Sequence, residues 1–273
     1  MPRVLIDDLA DPRIAPYRNL KATNQTRGRD GFVVEGEKLV ERLLESHFPA
    51  ASILVSDRHE ARISSWAPDD VPLLVVPHAL VDVLVGFNFH QGVLACGIRR
   101  PWPSPGEIAG GSAERRTFVA CPQIDNPENL GAIIRLGDVF GVDAILVGGR
   151  CPDPFSRRVL RVSMGMALRL PVIESEDLAA DLARLRSDFG FKLAATVVDT
   201  DARPLHAVRR PDRLALLLGC EGQGLGPEWV DLCDLRVTIP MRPGAESLNV
   251  AVAAGILLYH FTTGPAGAVE DER

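Results

Sequence analysis

Five consecutive apolar residues, Leu214-Ala-Leu-Leu-Leu218, run directly into Gly219-Cys-Glu-Gly-Gln-Gly-Leu-Gly226. A strand with one wet face alternates polar and apolar side chains, whereas an unbroken apolar run must be covered on both faces. The run therefore predicts a central strand of a mainly parallel sheet with helices on either side, an α/β fold. Runs at 117–121, 144–147, 193–198 and 235–239 repeat the signal, with helical patterns between them.

The stretch from Arg100 to Ala113, RPWPSPGEIAGGSA, breaks every hydrophobic period with Pro and Gly. It places a linker at 100–115, between a domain at 1–99 and a second at 116–263, with a polar tail at 264–273. The first domain shows short apolar runs at 31–34, 52–55, 73–76 and 92–98, and a helical pattern at 37–46, which predicts a small α/β/α unit. No apolar stretch approaches the roughly 20 residues a membrane helix needs, and Asp7, Asp8 and Asp11 interrupt any signal-peptide pattern, so a cytoplasmic protein is expected. Five scattered cysteines without a C-x-x-C pair point away from a metal site. A formal net charge of −6 excludes indiscriminate nucleic-acid binding and leaves only a local basic surface for such a partner.

Three segments carry the chemistry. In Asn126-Pro-Glu-Asn-Leu-Gly-Ala-Ile-Ile-Arg135, Asn126 is an N-cap, Pro127 takes the first helical position and Glu128 the first turn. Arg135 follows Gly131 by four residues on one face, and helical side chains lean toward the N-terminus, so its guanidinium is aimed over Gly131. The competing reading is a surface Arg paired with Asp138. The second segment, Gly219 to Gly226, lacks the Gly-Lys-Ser/Thr ending of a P-loop and the G-x-G-x-x-G spacing of a dinucleotide site, and Glu221 would repel a phosphate. It suits a neutral or cationic ligand, or else is a glycine-rich turn with a solvated Glu. The third, Glu246-Ser-Leu-Asn249, opens a helix for which Ser247 is the natural cap, preceded by the stiff loop Ile239-Pro-Met-Arg-Pro-Gly244, able to wall a flat ring.

Taken in order, these segments resemble the three motifs of SpoU-type RNA ribose 2′-O-methyltransferases of the SPOUT superfamily, with FSRRVLRVSMG between the first two resembling the family's Arg-rich stretch. The likeness covers 116–262. A weaker one links GFVVEGEKLVERLL, with Arg27 and Arg29, to the ribosomal-protein-like substrate-binding domain often fused ahead. Pattern alone predicts an open doubly wound sheet; the resemblance implies a deep trefoil knot, a homodimer and S-adenosylmethionine as methyl donor. It further implies that Leu218, Gly219, Gly224, Ile239, Met241 and Leu248 hold the donor, and that Asn129, Arg135, Glu221, Ser247 and Asn249 form the active-site set. Arg27, Arg29, Arg157, Arg158 and Arg161 would then contact RNA. The substrate it implies is structured RNA, ribosomal by analogy, with transfer RNA as the alternative and a non-catalytic RNA-binding protein as the second. Asn126 in place of the family's frequent Asp, and Leu136-Gly137 in place of Thr-Ala, bear on substrate choice. A guanidinium stays charged at neutral pH, so Arg135 is expected to stabilise the developing 2′-alkoxide, oriented by Glu221 and Asn129.

Overall fold

The computed structural model describes residues 2–20 and 30–263. Along the chain run β1 (Arg3–Leu5), β2 (Gly31–Glu35), α1 (Glu37–Leu44), β3 (Ala50–Ser56), α2 (Glu60–Ser64), β4 (Leu73–Val76), α3 (His78–Val85) and β5 (Val93–Ile98). Then follow α4 (Pro105–Ala109), β6 (Arg116–Cys121), α5 (Pro127–Val139), β7 (Ala144–Val147), α6 (Arg157–Val162), β8 (Val172–Glu174) and α7 (Leu178–Phe189). The last elements are β9 (Lys192–Thr196), β10 (Arg203–Pro204), β11 (Arg213–Leu217), α8 (Pro227–Leu232), β12 (Leu235–Thr238) and α9 (Val250–Thr263). The chain divides into two units, Met1–Pro101 with Asp153–Arg169, and Trp102–Pro152 with Leu170–Arg273.

The first unit is built on a mixed sheet in the order β1-β4-β3-β5-β2, with β5 antiparallel to both its neighbours. All four apolar runs of this region are strands. The sequence boundary of the unit is incomplete, because residues 153–169 return to it from the middle of the second. Phe155 stands against Phe32 and Phe48, with ring centroids 4.8 and 5.1 Å away. Arg99 lies 4.6 Å over the Phe155 ring and pairs with Asp153 at 2.6 Å. Three buried aromatic rings in contact outweigh the pull of chain proximity, since each ring removes a large apolar area from water.

The second unit carries seven parallel strands in the order β10-β12-β9-β11-β6-β7-β8. Leu214 to Leu217 on β11 are wholly buried, as an unbroken apolar run requires. Within the stretch expected to be a linker, α4 forms under a Ser104–Glu107 capping box and adds Ala109 to the core beside Phe118 and Phe191. None of the helices among the described residues is long and apolar enough to cross a membrane.

Candidate active site

Parallel strands leave their C-terminal ends at one edge, and ligands of such sheets bind there. The connections leaving β6, β11 and β12 carry the residues singled out above. Asn126 caps α5 by accepting from the Glu128 amide at 2.8 Å, as its position in the sequence predicts. That cap sets Asn129 in the first turn of α5, where the side chain is buried.

After β11 the chain folds back on itself through a Cys220–Gly224 bridge, with Gly222 and Gly224 both at positive φ (84° and 68°). Gly219 is needed for a different reason. A Cβ there would lie 2.2 Å from the Gly224 carbonyl carbon, so only a bare backbone lets the loop close.

The third segment differs from its expected form. Asn249, not Ser247, caps α9: its Oδ1 accepts from the amides of Ala251 (2.9 Å) and Val252 (3.2 Å). With the oxygen so committed, the amide nitrogen points the other way. It donates to Asn129 Oδ1 at 3.0 Å and to Glu221 Oε1 at 2.5 Å. One amide thus ties the three segments together with all its strong hydrogen-bonding positions used. Sequence spacing could not separate two cap-forming residues two positions apart; the partners on α5 and the glycine loop decide it.

Beside this node lies a cavity of about 450 Å³. Leu218, Gly219, Gly224, Ile239, Met241 and Leu248 all line it, together with Glu221 and Ser247. Its lining carries Asp199, Glu221 and Glu246 against a single cation, Arg236, which is itself paired with Asp199. Thr196 and Asp199 were missed by sequence reading, although the C-terminal end of a central parallel strand is where such residues collect.

The Arg135 side chain is exposed and makes no hydrogen bond or ion pair with a described residue, so the competing reading, a surface pair with Asp138, is not what forms. Glu221 and Asn129 both accept from Asn249. Arg157 is also placed differently from its expected role. Its guanidinium pairs with Glu35 at 2.5 Å, donates to the Leu20 carbonyl at 3.0 Å and lies 4.5 Å over the Phe87 ring, holding the first unit together. Arg158 and Arg161 are exposed, and Arg27 and Arg29 lie outside the described residues.

A doubly covered parallel sheet whose three glycine- and asparagine-bearing connections converge over one cavity defines an α/β ligand-binding enzyme unit. Comparison with known proteins gives the kind. The profile of the SpoU rRNA Methylase family matches residues 116–259. A Mycobacterium tuberculosis protein, an uncharacterized tRNA/rRNA methyltransferase, is 35% identical over 267 residues, covering 93% of this chain and 90% of its own. The Bacillus subtilis 23S rRNA (guanosine(2553)-2′-O)-methyltransferase is 29% identical over 93% of this chain and 98% of its own. Among solved structures, the AdoMet-bound rRNA methyltransferase from Sinorhizobium meliloti superposes with a TM-score of 0.79 at 24% identity, covering 94% of this chain and 96% of that one, a match of fold. The chain belongs to the SpoU family of RNA 2′-O-ribose methyltransferases.

Proposed function

We propose that the protein transfers a methyl group from S-adenosylmethionine to a ribose 2′-hydroxyl of ribosomal RNA, working in the cytoplasm as a homodimer whose catalytic unit is threaded as a knot. The observation that carries this reading is the convergence of all three segments on Asn249 beside the 450 Å³ cavity. The cavity's charge favours this donor over a nucleotide. Three carboxylates against one arginine repel polyphosphate and attract a ligand bearing a sulfonium and an ammonium. Apolar walls from Ile239, Met241 and Leu248 suit adenine, and the bare backbone at Gly219 and Gly224 admits close approach.

S-adenosylmethionine supplies the methyl group as a sulfonium. The protein must align the attacking oxygen in line and stabilise its charge while the proton leaves. Glu221, bonded by Asn249, holds negative charge in the cavity wall, and Arg135, exposed, supplies positive charge for the 2′-oxygen. The proton passes to water or an RNA phosphate, since a guanidinium cannot readily accept it.

The dimer is supported by an apolar stripe on α9, where Val252, Ile256 and Tyr259 are 53%, 40% and 63% exposed, continued by Val139 at 65% on α5. Exposed apolar side chains in such a row mark an interface. Ribosomal RNA is favoured by the Bacillus subtilis relative aligned along nearly its whole length, and transfer RNA is the second reading because the mycobacterial relative is named for both. The test is incubation with labelled S-adenosylmethionine and total RNA, followed by mapping of the alkali-resistant position. Arg135→Ala should lower turnover about 10²-fold or more, with donor affinity unchanged by calorimetry. Undiminished turnover would remove Arg135 from the mechanism.

A further inference from the structure

A further cavity of about 570 Å³ opens in the second unit, at the C-terminal ends of β6, β7, β8 and β11. Gly219, Cys220, Gln223, Gly224 and Leu225 line both this cavity and the 450 Å³ one, so the glycine-rich loop is a partition between them. The far wall is separate. It comes from Gln123 before α5, Arg150 after β7, Glu176 and Asp177 before α7, and Glu228 and Trp229 of α8. None of these six lines the 450 Å³ cavity or joins the Asn249 node.

The chemistry of that wall selects a kind of ligand. Glu176, Asp177 and Glu228 are exposed carboxylates against one exposed guanidinium, Arg150, so a phosphate is repelled and a neutral group rich in N–H donors is favoured. Asp177 is already committed as the cap of α7, accepting from the Ala180 amide at 3.0 Å. Glu228 is seated by Gly226, where a Cβ would collide with the carboxylate. Arg150 donates to Gln123 Oε1 at 3.2 Å and Gln123 donates to Asp125 at 2.9 Å, which steadies the guanidinium and leaves further N–H groups for an acceptor. The half-buried ring of Trp229 packs on the core around Phe118 and Phe191 and gives the cavity a flat apolar surface. An aromatic face, a seated carboxylate and a guanidinium with spare donors together fit a guanine base. Its Watson–Crick edge carries two neighbouring N–H donors that match both oxygens of one carboxylate, and its N7 and O6 accept from a guanidinium. Adenine, cytosine and uracil each offer a single donor position on that edge.

We propose that this cavity receives the base of the nucleotide whose ribose is methylated, and that the base is guanine. Glu228 takes the N1–H and N2–H groups, Arg150 the N7–O6 edge, and Trp229 the ring face. With the base on one side of the glycine-rich loop and the methyl donor on the other, the ribose sits at the edge they share, beside the Glu221–Asn249 pair. This rests on the reading of the protein as an RNA methyltransferase and deepens it by naming the base and the residues that choose it.

The experiment reads transfer and binding separately, with the full-length protein. Total RNA is incubated with labelled S-adenosylmethionine and digested to nucleosides. The parent should give labelled 2′-O-methylguanosine; label in a different 2′-O-methylnucleoside overturns the proposal. Glu228→Gln should raise KM for RNA about tenfold, the worth of one good bidentate pair, with kcat changed less and donor affinity unchanged by calorimetry. Trp229→Ala should raise KM likewise and Trp229→Phe restore most of the loss, with thermal unfolding of each variant as the check on folding. Binding is followed by quenching of tryptophan fluorescence with GMP, AMP and UMP. GMP should quench saturably at about tenfold lower concentration than the other two. Trp229→Phe should lose that quench, and Trp66→Phe, in the first unit, should keep it. Equal or absent quenching by the three nucleotides, or Glu228 and Trp229 variants that behave like the parent, overturns the proposal. Quenching by GMP that depends on Trp229, without methyl transfer to any RNA, instead overturns the enzymatic reading and leaves the guanine site standing.

Discussion

Asn249 and Gly219 show how single side chains, or the lack of one, set the geometry. Removing the Asn249 amide leaves Asn129 Oδ1 buried without that donor and the first turn of α9 uncapped. Asn249→Ala should therefore cost about 1–2 kcal/mol in thermal or urea unfolding. Asn249→Asp separates the two roles, because it keeps the capping oxygen while setting a carboxylate against Glu221. Its stability should lie nearer the parent's than the alanine variant's, with donor binding impaired when measured by calorimetry. Gly219→Ala places a methyl group 2.2 Å from the Gly224 backbone, so the loop must shift. Turnover should fall about 10²-fold if that shift is on the order of 1 Å, and a crystal structure of the variant would show the displaced Gly224. Titration has a residue-scale consequence too. Burial pushes the Cys96 thiol up to about 11 and raises the Tyr17 hydroxyl as well. A proton held more tightly in the folded state stabilises fully below the unfolded pKa, near 9 for the thiol, and is lost as pH climbs toward 11. The thermal midpoint should decline over that window, and less steeply in Cys96→Val.

At the scale of elements, α9 combines two faces. Leu257, Leu258 and Phe261 are buried, Gly255 faces Leu136 of α5, and Val252, Ile256 and Tyr259 look outward. Ile256→Arg should leave the fold intact and convert a dimer to a monomer in sedimentation velocity; unchanged sedimentation would remove this stripe as the interface. The elements also show what a sequence can and cannot disclose. β3, β4, β6, β7 and β11 were legible because apolar runs of four or more residues have no other comfortable place. β1 and β10, three and two residues long, exist through pairing with β4 and β12, and nothing local announces them. α4 was hidden in a stretch judged by its prolines and glycines, although Ser104 and Glu107 stood at capping-box spacing. The candidate site was legible as three segments, because each has its own cap or glycine signature. That their polar groups meet at Asn249, and that Arg157 is absorbed by Glu35 and Phe87, depends on tertiary partners from distant positions.

For the molecule as a whole, the division into two units gives ligand binding a spatial signature. Hydrogen exchange with and without S-adenosylmethionine should show new protection at 218–225 and 239–248, which line the cavity, and little change across β1 to β5. Protection confined to the first unit instead would misplace the donor. The same division bears on how the protein is made. Phe32 and Phe48 gain their third ring only from Phe155, so the first unit stays unfinished until the chain has been synthesised through residue 169. At ordinary elongation rates that is a delay on the order of several seconds after residue 101 is added. For that interval a nascent chain carries bare aromatic surface, which makes it a client for chaperones during translation and makes any gene fragment ending near codon 101 prone to aggregate.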